Sequence, residues 1–298
     1  MPDYILITPV LNEQDNIVNC IASVILQTHL PIKWVIIDGG STDNTLQIIS
    51  SFNISWLKVI TQTDTSMPRG HEKFSHQMQE AYEYCKNTFA DYIGKMDADC
   101  SISRDFFEMT IKGCEQDRTL GAVSGKMYTN GIPENYPDDE IPDIRLYRKK
   151  ALEDIGGFPI TKYSPDTVIL AKLRLNGWRI QTFPKVTINN TRKRDSNSVT
   201  FGKARWHLGY SLPLFLLGTA YATRNNGMKY GVGLCRGYLG DMFRGSEQTK
   251  DVQIYDYFHN KRLNEIAGTI GITPRTTLVV ASFVFLFVMI VIMMWWFK

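Results

Sequence analysis

Short apolar runs alternate with amphipathic stretches along the first hundred residues, and this alternation constrains the fold more than any other feature of the sequence. Four runs have the length and composition of buried strands: residues 4–8, 34–37, 57–60 and 92–96. Three stretches between them place apolar residues at helical spacing: 14–27, 43–52 and 74–88. This order predicts an α/β fold with a Rossmann-like, mostly parallel sheet. In such sheets ligands bind beyond the carboxyl ends of the strands.

The charge balance divides the chain into parts. Residues 1–191 contain 19 basic and 24 acidic residues, whereas residues 192–275 contain 13 basic and 6 acidic ones. We predict a catalytic domain over 1–191, whose carboxylates suit metal or sugar chemistry, and a basic, apolar helical region over 192–275 that lies next to a membrane. Nucleic acid is not an expected partner, because the sequence has no basic stripe with interleaved aromatic residues and no zinc-finger or helix-turn-helix signature.

The stretch 276–297 contains no charged residue. As a helix rising ~1.5 Å per residue it reaches roughly 33 Å, enough to cross the hydrocarbon core of a bilayer. Trp295 and Trp296, followed by Lys298, fit an aromatic belt and a polar stop. We predict a single transmembrane helix here, the alternative being a buried core helix. The five cysteines are scattered, which indicates a reducing compartment, so we expect the catalytic domain on the cytoplasmic side of the membrane.

Three carboxylate sites lie where polar groups can meet a ligand. Asp38 ends the second predicted strand before a glycine turn, and the alternative is a plain strand–turn–helix connection. Asp97 and Asp99 flank a single residue, so in an extended chain both side chains point the same way and can face one hard cation. Asp166 begins a predicted helix over 166–176, where an unpaired carboxylate can act as a base or simply cap the helix.

These residues belong to a larger pattern, which resembles the family 2 glycosyltransferases of GT-A fold. The motifs stand in the order of that family over about residues 4–182: Thr8-Pro9-Val10-Leu11-Asn12-Glu13, then 35–45, then Asp97-Ala98-Asp99, then Gly156-Gly157-Phe158 followed by Asp166. The resemblance implies a GT-A fold and an inverting transfer of a sugar from a nucleotide-diphosphate sugar donor.

The resemblance also implies roles for individual positions. On the donor side, Thr8, Pro9 and Glu13 are implied to line the nucleoside pocket. Asp38 is implied to contact the base or ribose, and Arg69 and Asp97 to contact the rest of the donor. Asp99 is implied to coordinate Mg²⁺ or Mn²⁺, and Asp166 takes the place of the catalytic base. The acceptor side is implied to include Gly157, Arg205 and Trp206.

The sequence departs from the family pattern in three places. Pro165 stands where the family carries a glutamate that contacts the acceptor. The triplet 97–99 is followed by Cys100-Ser101 and lacks the glutamine that is typical of dolichyl-phosphate mannose synthases. Arg205-Trp206 resembles the end of the Q-x-x-R-W motif of processive polysaccharide synthases, but Gly202 stands at the glutamine position. This difference disfavours a processive synthase.

Three functions remain open. The first is an inverting glycosyltransferase that acts on a hydroxyl of a lipid-linked or surface glycan, with Asp166 as base and the metal on Asp99. The second is a polyprenyl-phosphate glycosyltransferase, whose anionic acceptor needs no base. The third is a catalytically silent, membrane-bound nucleotide-sugar binder. Asp166 favours the first function over the second, and the retention of all the aspartates disfavours the third.

Overall fold

The computed structural model describes residues 1–134, 136, 140–192, 197–263 and 265. The chain divides into two compact units, Met1–Arg194 and Asp195–Lys298. The described part of the first unit contains a mixed sheet of nine strands with helices on both of its faces. The described part of the second unit is helical.

The first half of the sheet has the predicted alternation of strands and helices. Its elements are β1 (Tyr4–Val10), α1 (Ile17–Ile25), β2 (Lys33–Asp38), α2 (Thr45–Ser51), β3 (Leu57–Thr61), α3 (His71–Cys85) and β4 (Tyr92–Lys95). The strands lie in the order β3-β2-β1-β4, and all of these pairs are parallel. The four strands and three helices predicted here are confirmed, because apolar runs that are buried on both faces are typical of parallel strands.

The second half of the sheet breaks the parallel pattern. Its elements are β5 (Cys100–Ile102), α4 (Phe106–Gln116), β6 (Leu120–Thr129), β7 (Ile132–Pro133), β8 (Arg145–Arg148), α5 (Lys149–Asp154), α6 (Pro165–Leu175) and β9 (Arg179–Asn190). β8 lies between β4 and β6 and is antiparallel to both. β9 is parallel to β6 and antiparallel to β5, and β7 pairs with β6. The sheet as a whole is therefore mixed rather than mostly parallel, and the parallel arrangement that was predicted holds for its first half.

Two apolar layers cover the two faces of the sheet. Because side chains alternate along a strand, Leu6 of β1 joins the layer that contains α1 and α4, whereas Ile5 and Ile7 join the layer that contains α3, α5 and α6. Leu6 and Phe107 are fully buried, and such burial contributes roughly 1.5–3 kcal/mol for each side chain. Packing on both faces fixes β1 and β4 side by side, so that their carboxyl ends meet at one edge of the sheet.

Close backbone contacts hold the helices of the second unit together. The helices are α7 (Ser198–His207), α8 (Leu212–Asn226), α9 (Met228–Phe243) and α10 (Val252–Asp256), followed by a π-helical turn over Tyr257–Lys261. A Cβ atom added to Gly202 of α7 would lie 2.2 Å from the carbonyl oxygen of Leu234, and one added to Gly237 of α9 would lie 2.1 Å from that of Val199. No side chain fits at either position. This contact explains why Gly202 replaces the motif glutamine.

Within the described residues, no helix combines the length and the apolar character that a membrane crossing needs. The predicted transmembrane helix, 276–297, lies outside the described residues, as does the end of the predicted basic region, 266–275.

Candidate active site

An open cleft of about 290 Å³ lies in the first unit, where β1 and β4 end. It brings together six of the predicted site residues: Pro9, Glu13, Arg69, Asp97, Asp99 and Asp166. Its walls also carry side chains to which the sequence assigned no role, among them His71, Lys73, Gln77, Lys95 and Arg192. Four carboxylates and four Lys or Arg side chains therefore line one cleft.

Lys95 is the last residue of β4, and only 2% of its side chain is exposed. Its Nζ lies 3.1 Å from Oδ1 of Asp97, 3.5 Å from Oδ1 of Asp166 and 5.0 Å from the centre of the Phe74 ring. Burial lowers the pKa of Lys95, but the carboxylates of Asp166 and Asp97 outweigh burial and raise the pKa above its ordinary value. Lys95 is therefore a permanent cation beside two carboxylates.

Asp166 is the second residue of α6, and it is not the unpaired carboxylate that the sequence suggested. Its Oδ1 accepts a hydrogen bond from Nη1 of Arg145 at 3.3 Å and lies within 3.5 Å of Nζ of Lys95. The N-cap alternative is also wrong, because Ser164 holds that position and Pro165 begins the helix. A third of the Asp166 side chain is exposed, and among the described residues both cations contact Oδ1, which leaves Oδ2 for a ligand.

Arg145 of β8 fixes Asp166 to the scaffold. Its Nη1 also donates to the backbone carbonyl of Asp166 at 3.1 Å. Its Nε and Nη2 donate to the carbonyls of Pro142 and Ile141, at 2.9 and 3.1 Å, and Nη2 also reaches Asp143. Burial lowers the pKa of Arg145, but Tyr147 and the carboxylates of Asp166 and Asp143 raise it further than burial lowers it. All three guanidinium nitrogens thus have fixed partners.

Two arginines and two carboxylates form a second group of charges in the cleft. Nη2 of Arg192 lies 2.6 Å from Oε2 of Glu13, and its Nε lies 3.7 Å from Oδ2 of Asp99. Nη2 of Arg69 lies 3.6 Å from the other Glu13 oxygen, Oε1. The Glu13 side chain is buried while both arginines are partly exposed, so Glu13 anchors two cations at the mouth of the cleft.

Asp97 and Asp99 can contribute oxygen ligands to a divalent cation. Burial raises the pKa of Asp97 to about 6; Lys95 opposes this shift, and the negative charges of Asp99 and Asp166 add to it. A cation between Asp97 and Asp99 would relieve their repulsion. No cluster of three or more metal-binding side chains occurs in the described part of the chain. The donor set nevertheless fits Mg²⁺ or Mn²⁺ with a bound diphosphate, because such ions use one or two carboxylates, with phosphates and water completing the shell.

Thr8 and Asp38 lie outside the cleft wall. Thr8 is fully buried, and its Oγ1 accepts a hydrogen bond from Nε1 of Trp34 at 3.0 Å. Asp38 is 2% exposed and accepts hydrogen bonds from the backbone N–H of Gly40, at 3.0 Å, and from the N–H and hydroxyl of Ser41. The geometry of Asp38 matches the strand–turn–helix alternative, so the nucleoside contacts assigned to these two residues stay predictions.

Gly157 belongs to the end of a helix rather than to the cleft. Its N–H donates to the carbonyl of Leu152 at 2.8 Å, while the N–H of Gly156 donates to that of Glu153 at 3.1 Å, the pattern of a Schellman cap on α5. A Cβ at Gly157 would lie 2.6 Å from Tyr82 of α3. Close helix packing and a φ of +90° therefore account for this glycine.

Arg205 and Trp206 lie in α7 of the second unit. Nη1 of Arg205 donates to the hydroxyl of Thr219 at 3.4 Å, and Nε1 of Trp206 donates to the carbonyl of Ser246 at 2.8 Å. The Trp206 ring also packs edge-on against Tyr238. Both side chains therefore take part in the packing of their own unit, and the acceptor role assigned to them stays a prediction.

Among the cations of the site, the sequence pointed to Arg69 but not to Lys95, Arg145 or Arg192, for different reasons. Lys95 had a usable signal, since a lysine inside a buried strand at alternating spacing with Asp97 and Asp99 falls on the same side as both. Arg145 lies in a strand of four residues that shows no clear periodicity. Arg192 lies two residues after the end of β9, and its partners, Glu13 and Asp99, are far away in the sequence.

In a comparison with known proteins, a family model described as glycosyl transferase family 2 matches residues 5–167, which are more than half of the chain. Poly-beta-1,6-N-acetyl-D-glucosamine synthase of Staphylococcus aureus is 24% identical over 197 residues, which cover 58% of this chain and 46% of the synthase. Chondroitin synthase of Pasteurella multocida is 28% identical over 141 residues, 44% of this chain and 13% of that enzyme. The chain thus matches less than half the length of either relative.

Two solved structures have a similar fold. S. aureus TarS 1–349 in complex with UDP-GlcNAc has a TM-score of 0.55 and 18% identity, covering 82% of this chain and 73% of that one. Mannosyltransferase PcManGT from Pyrobaculum calidifontis, in complex with GDP-Man and Mn²⁺, has a TM-score of 0.55 and 18% identity, covering 95% and 81%. At this identity the likeness concerns the fold, which agrees with the predicted GT-A architecture.

Proposed function

The chain belongs to glycosyl transferase family 2 and is a glycosyltransferase, and from that premise we propose an inverting transfer of a sugar from a nucleotide-diphosphate sugar to a hydroxyl of a lipid-linked or surface glycan. The observation that carries this proposal is the cleft itself. It joins Asp97 and Asp99, which suit the donor and its metal, to Asp166, which suits the acceptor. One buried ammonium, that of Lys95, lies between the two sides.

On the acceptor side, Asp166 accepts the proton of the attacking hydroxyl. Inversion requires the hydroxyl to attack the anomeric carbon from the face opposite the leaving group, so the base must stand apart from the diphosphate. Asp166 is on α6, whereas Asp97 and Asp99 follow β4, so the base and the carboxylates of the donor side come from different elements. Lys95 and Arg145 hold its Oδ1, and Oδ2 receives the hydroxyl proton.

On the donor side, the cleft supplies both carboxylates and cations. Asp99, with Asp97 beside it, would hold the divalent cation, which when bound neutralises charge on the departing diphosphate as a Lewis acid. Arg69, Lys73 and Arg192 line the same cleft and add positive charge where the diphosphate lies. The names of the related structures support this assignment, since TarS was solved with UDP-GlcNAc and PcManGT with GDP-Man and Mn²⁺.

The acceptor class is proposed from the curated relatives. The S. aureus and P. multocida enzymes are named as synthases of poly-beta-1,6-N-acetyl-D-glucosamine and of chondroitin. A hydroxyl acceptor also agrees with a base in the cleft, since an acceptor phosphate arrives ionised and needs none.

We also propose that the enzyme works at a membrane, with its catalytic unit on the cytoplasmic side. The support is compositional: residues 192–275 carry a net charge of +7, from 13 basic and 6 acidic residues, and 276–297 carry no charge at all.

The decisive experiment replaces Asp166 with Asn in the full chain. A panel of nucleotide sugars beginning with UDP-GlcNAc and GDP-mannose identifies the donor from nucleoside diphosphate release, with water or a glycan as acceptor. For Asp166→Asn we expect donor binding by calorimetry to persist, while single-turnover release falls by ~10²–10⁴-fold, the range that general-base catalysis supplies. Unchanged turnover would refute the base assignment and favour a phosphate acceptor. Binding without turnover in the wild type would favour a silent binder.

A further inference from the structure

Two buried cations hold Asp166, but their other partners differ. Arg145 directs its remaining nitrogens to the carbonyls of Ile141 and Pro142 and to Asp143, which are parts of the scaffold. Lys95 has, among the described residues, only two polar partners within 3.5 Å, and they are Asp97 and Asp166. Lys95 is thus the one described group that contacts a donor-side carboxylate and the acceptor-side carboxylate together.

The Lys95 ammonium links two carboxylates that come from different elements of the fold. Asp97 lies in the connection after β4, whereas Asp166 lies in the first turn of α6, and some seventy residues separate them in the sequence. An ammonium has three donors and no acceptor, so it can satisfy both carboxylates at once. With 2% of its side chain exposed and its Nζ over the Phe74 ring, the Lys95 side chain has little freedom to move.

We propose that Lys95 is a positioning residue, which fixes the carboxylate of Asp166 relative to the donor bound at Asp97 and so sets the line of attack in the transfer. The inference rests on the proposed function, because it needs Asp166 to be the base. Lys95 contacts neither reacting atom in this account. Its contribution is alignment, and a misplacement of about 1 Å in such a geometry can reduce a rate by ~10²-fold.

The first variant is Lys95→Met, which keeps an unbranched side chain beside Phe74 and removes the charge. We expect single-turnover release of nucleoside diphosphate to fall by about 10²-fold, while calorimetric affinity for the same nucleotide sugar stays close to wild type. Lys95→Arg keeps the charge, and we expect it to restore most of the rate. Lys112→Met removes an exposed lysine paired with Glu108 on α4 and serves as the matched control, with no expected change.

A double-mutant cycle separates positioning from a general structural role. If Lys95 acts through Asp166, then Lys95→Met should add little to the loss already caused by Asp166→Asn, so the two effects are strongly non-additive. Additive losses would overturn the inference. An equal loss of donor affinity and of rate would also overturn the inference, because it would show that Lys95 supports donor binding through Asp97. Thermal unfolding of every variant distinguishes these outcomes from a failure to fold.

The same data separate this inference from its premise. If Asp166→Asn leaves the rate unchanged, the proposed function fails whatever Lys95→Met does, and the inference falls with it. If Asp166→Asn is slow and Lys95→Met is as fast as wild type, only the positioning role of Lys95 is refuted.

Discussion

At the scale of single residues, Asp99 is paired with Arg192, and the proposed metal would compete with this arginine. Nε of Arg192 lies 3.7 Å from Oδ2 of Asp99, in the neighbourhood where the proposed metal would bind. Glu13 holds the same arginine through a 2.6 Å contact. Because Arg192 has this second anchor, it can give up Asp99 without losing all of its partners, and the diphosphate would offer it a new one.

Replacing Asp99 with Asn should weaken metal binding and remove most of the activity. The amide is a weaker ligand for Mg²⁺ or Mn²⁺ than the carboxylate, and we expect turnover to fall by ~10²–10³-fold, the usual loss for one electrostatic stabiliser. Mn²⁺ binding in the presence of UDP, followed by electron paramagnetic resonance, should weaken in parallel. Full turnover of EDTA-treated wild-type protein would contradict the metal proposal.

The sequence alone identified the carboxylates of the site better than its cations. Asp97, Asp99 and Asp166 follow strands or open a helix, where the local pattern already marks them, and all three line the cleft. Arg145 and Arg192 act through partners that are distant in the sequence, so no local spacing points to them. Asp38 is a different case, since a carboxylate at the end of a strand can also hold a turn, and its contact to the donor stays a prediction.

At the scale of secondary structure, the sequence predicted best those elements whose apolar residues form a clear run or a helical stripe. The strands β1 and β2 are nearly continuous apolar runs, β3 and β4 are mostly apolar, and the helices between them place apolar residues at helical spacing, so all were found. β5 and β8 have three and four residues, too few for a period to show. The pairing of β9 with β6 contains register shifts, and β9 mixes exposed with buried residues. Its twelve residues therefore show no regular alternation of apolar and polar side chains.

The contact between α7 and α9 gives a prediction at this scale. Gly202→Ala should destabilise the second unit by about 1–3 kcal/mol, because its Cβ would lie 2.2 Å from the Leu234 carbonyl oxygen and a backbone atom cannot turn aside as a side chain can. Hydrogen exchange of peptides from α7 and α9 in the full chain would show the loss as faster exchange.

Gly240→Ala is the matched control for this substitution. The Cβ it adds to α9 meets no atom nearer than Nη1 of Arg244, at 3.8 Å. Alanine is the better helix former by roughly 0.5–1 kcal/mol, so exchange should stay the same or become slower. Equal effects of the two substitutions would show that the close packing of α7 on α9 does not limit the stability of the unit.

At the scale of the whole molecule, the membrane proposal depends on two segments that act differently. The uncharged stretch 276–297 would give integral attachment, and the basic residues of 192–275 would give attraction to anionic lipid. We expect the full chain to stay with membranes in alkaline carbonate. A chain that ends at 273 should be released by carbonate, yet sediment with anionic vesicles at low salt. Release of the full chain by carbonate would contradict the anchor.

The antiparallel strand β8 has a consequence for how the enzyme becomes active during folding. The parallel half, up to residue 95, precedes β8 along the chain, yet β8 inserts directly beside β4. Lys95 and Asp97 emerge early in synthesis, and Arg145 and Asp166 emerge late. The contacts of Asp166 with Lys95 and Arg145 therefore form only after β8 and α6 have docked, which makes assembly of the catalytic centre a late, long-range step. Pulse-labelled hydrogen exchange should show protection of β1 and β2 before that of β8.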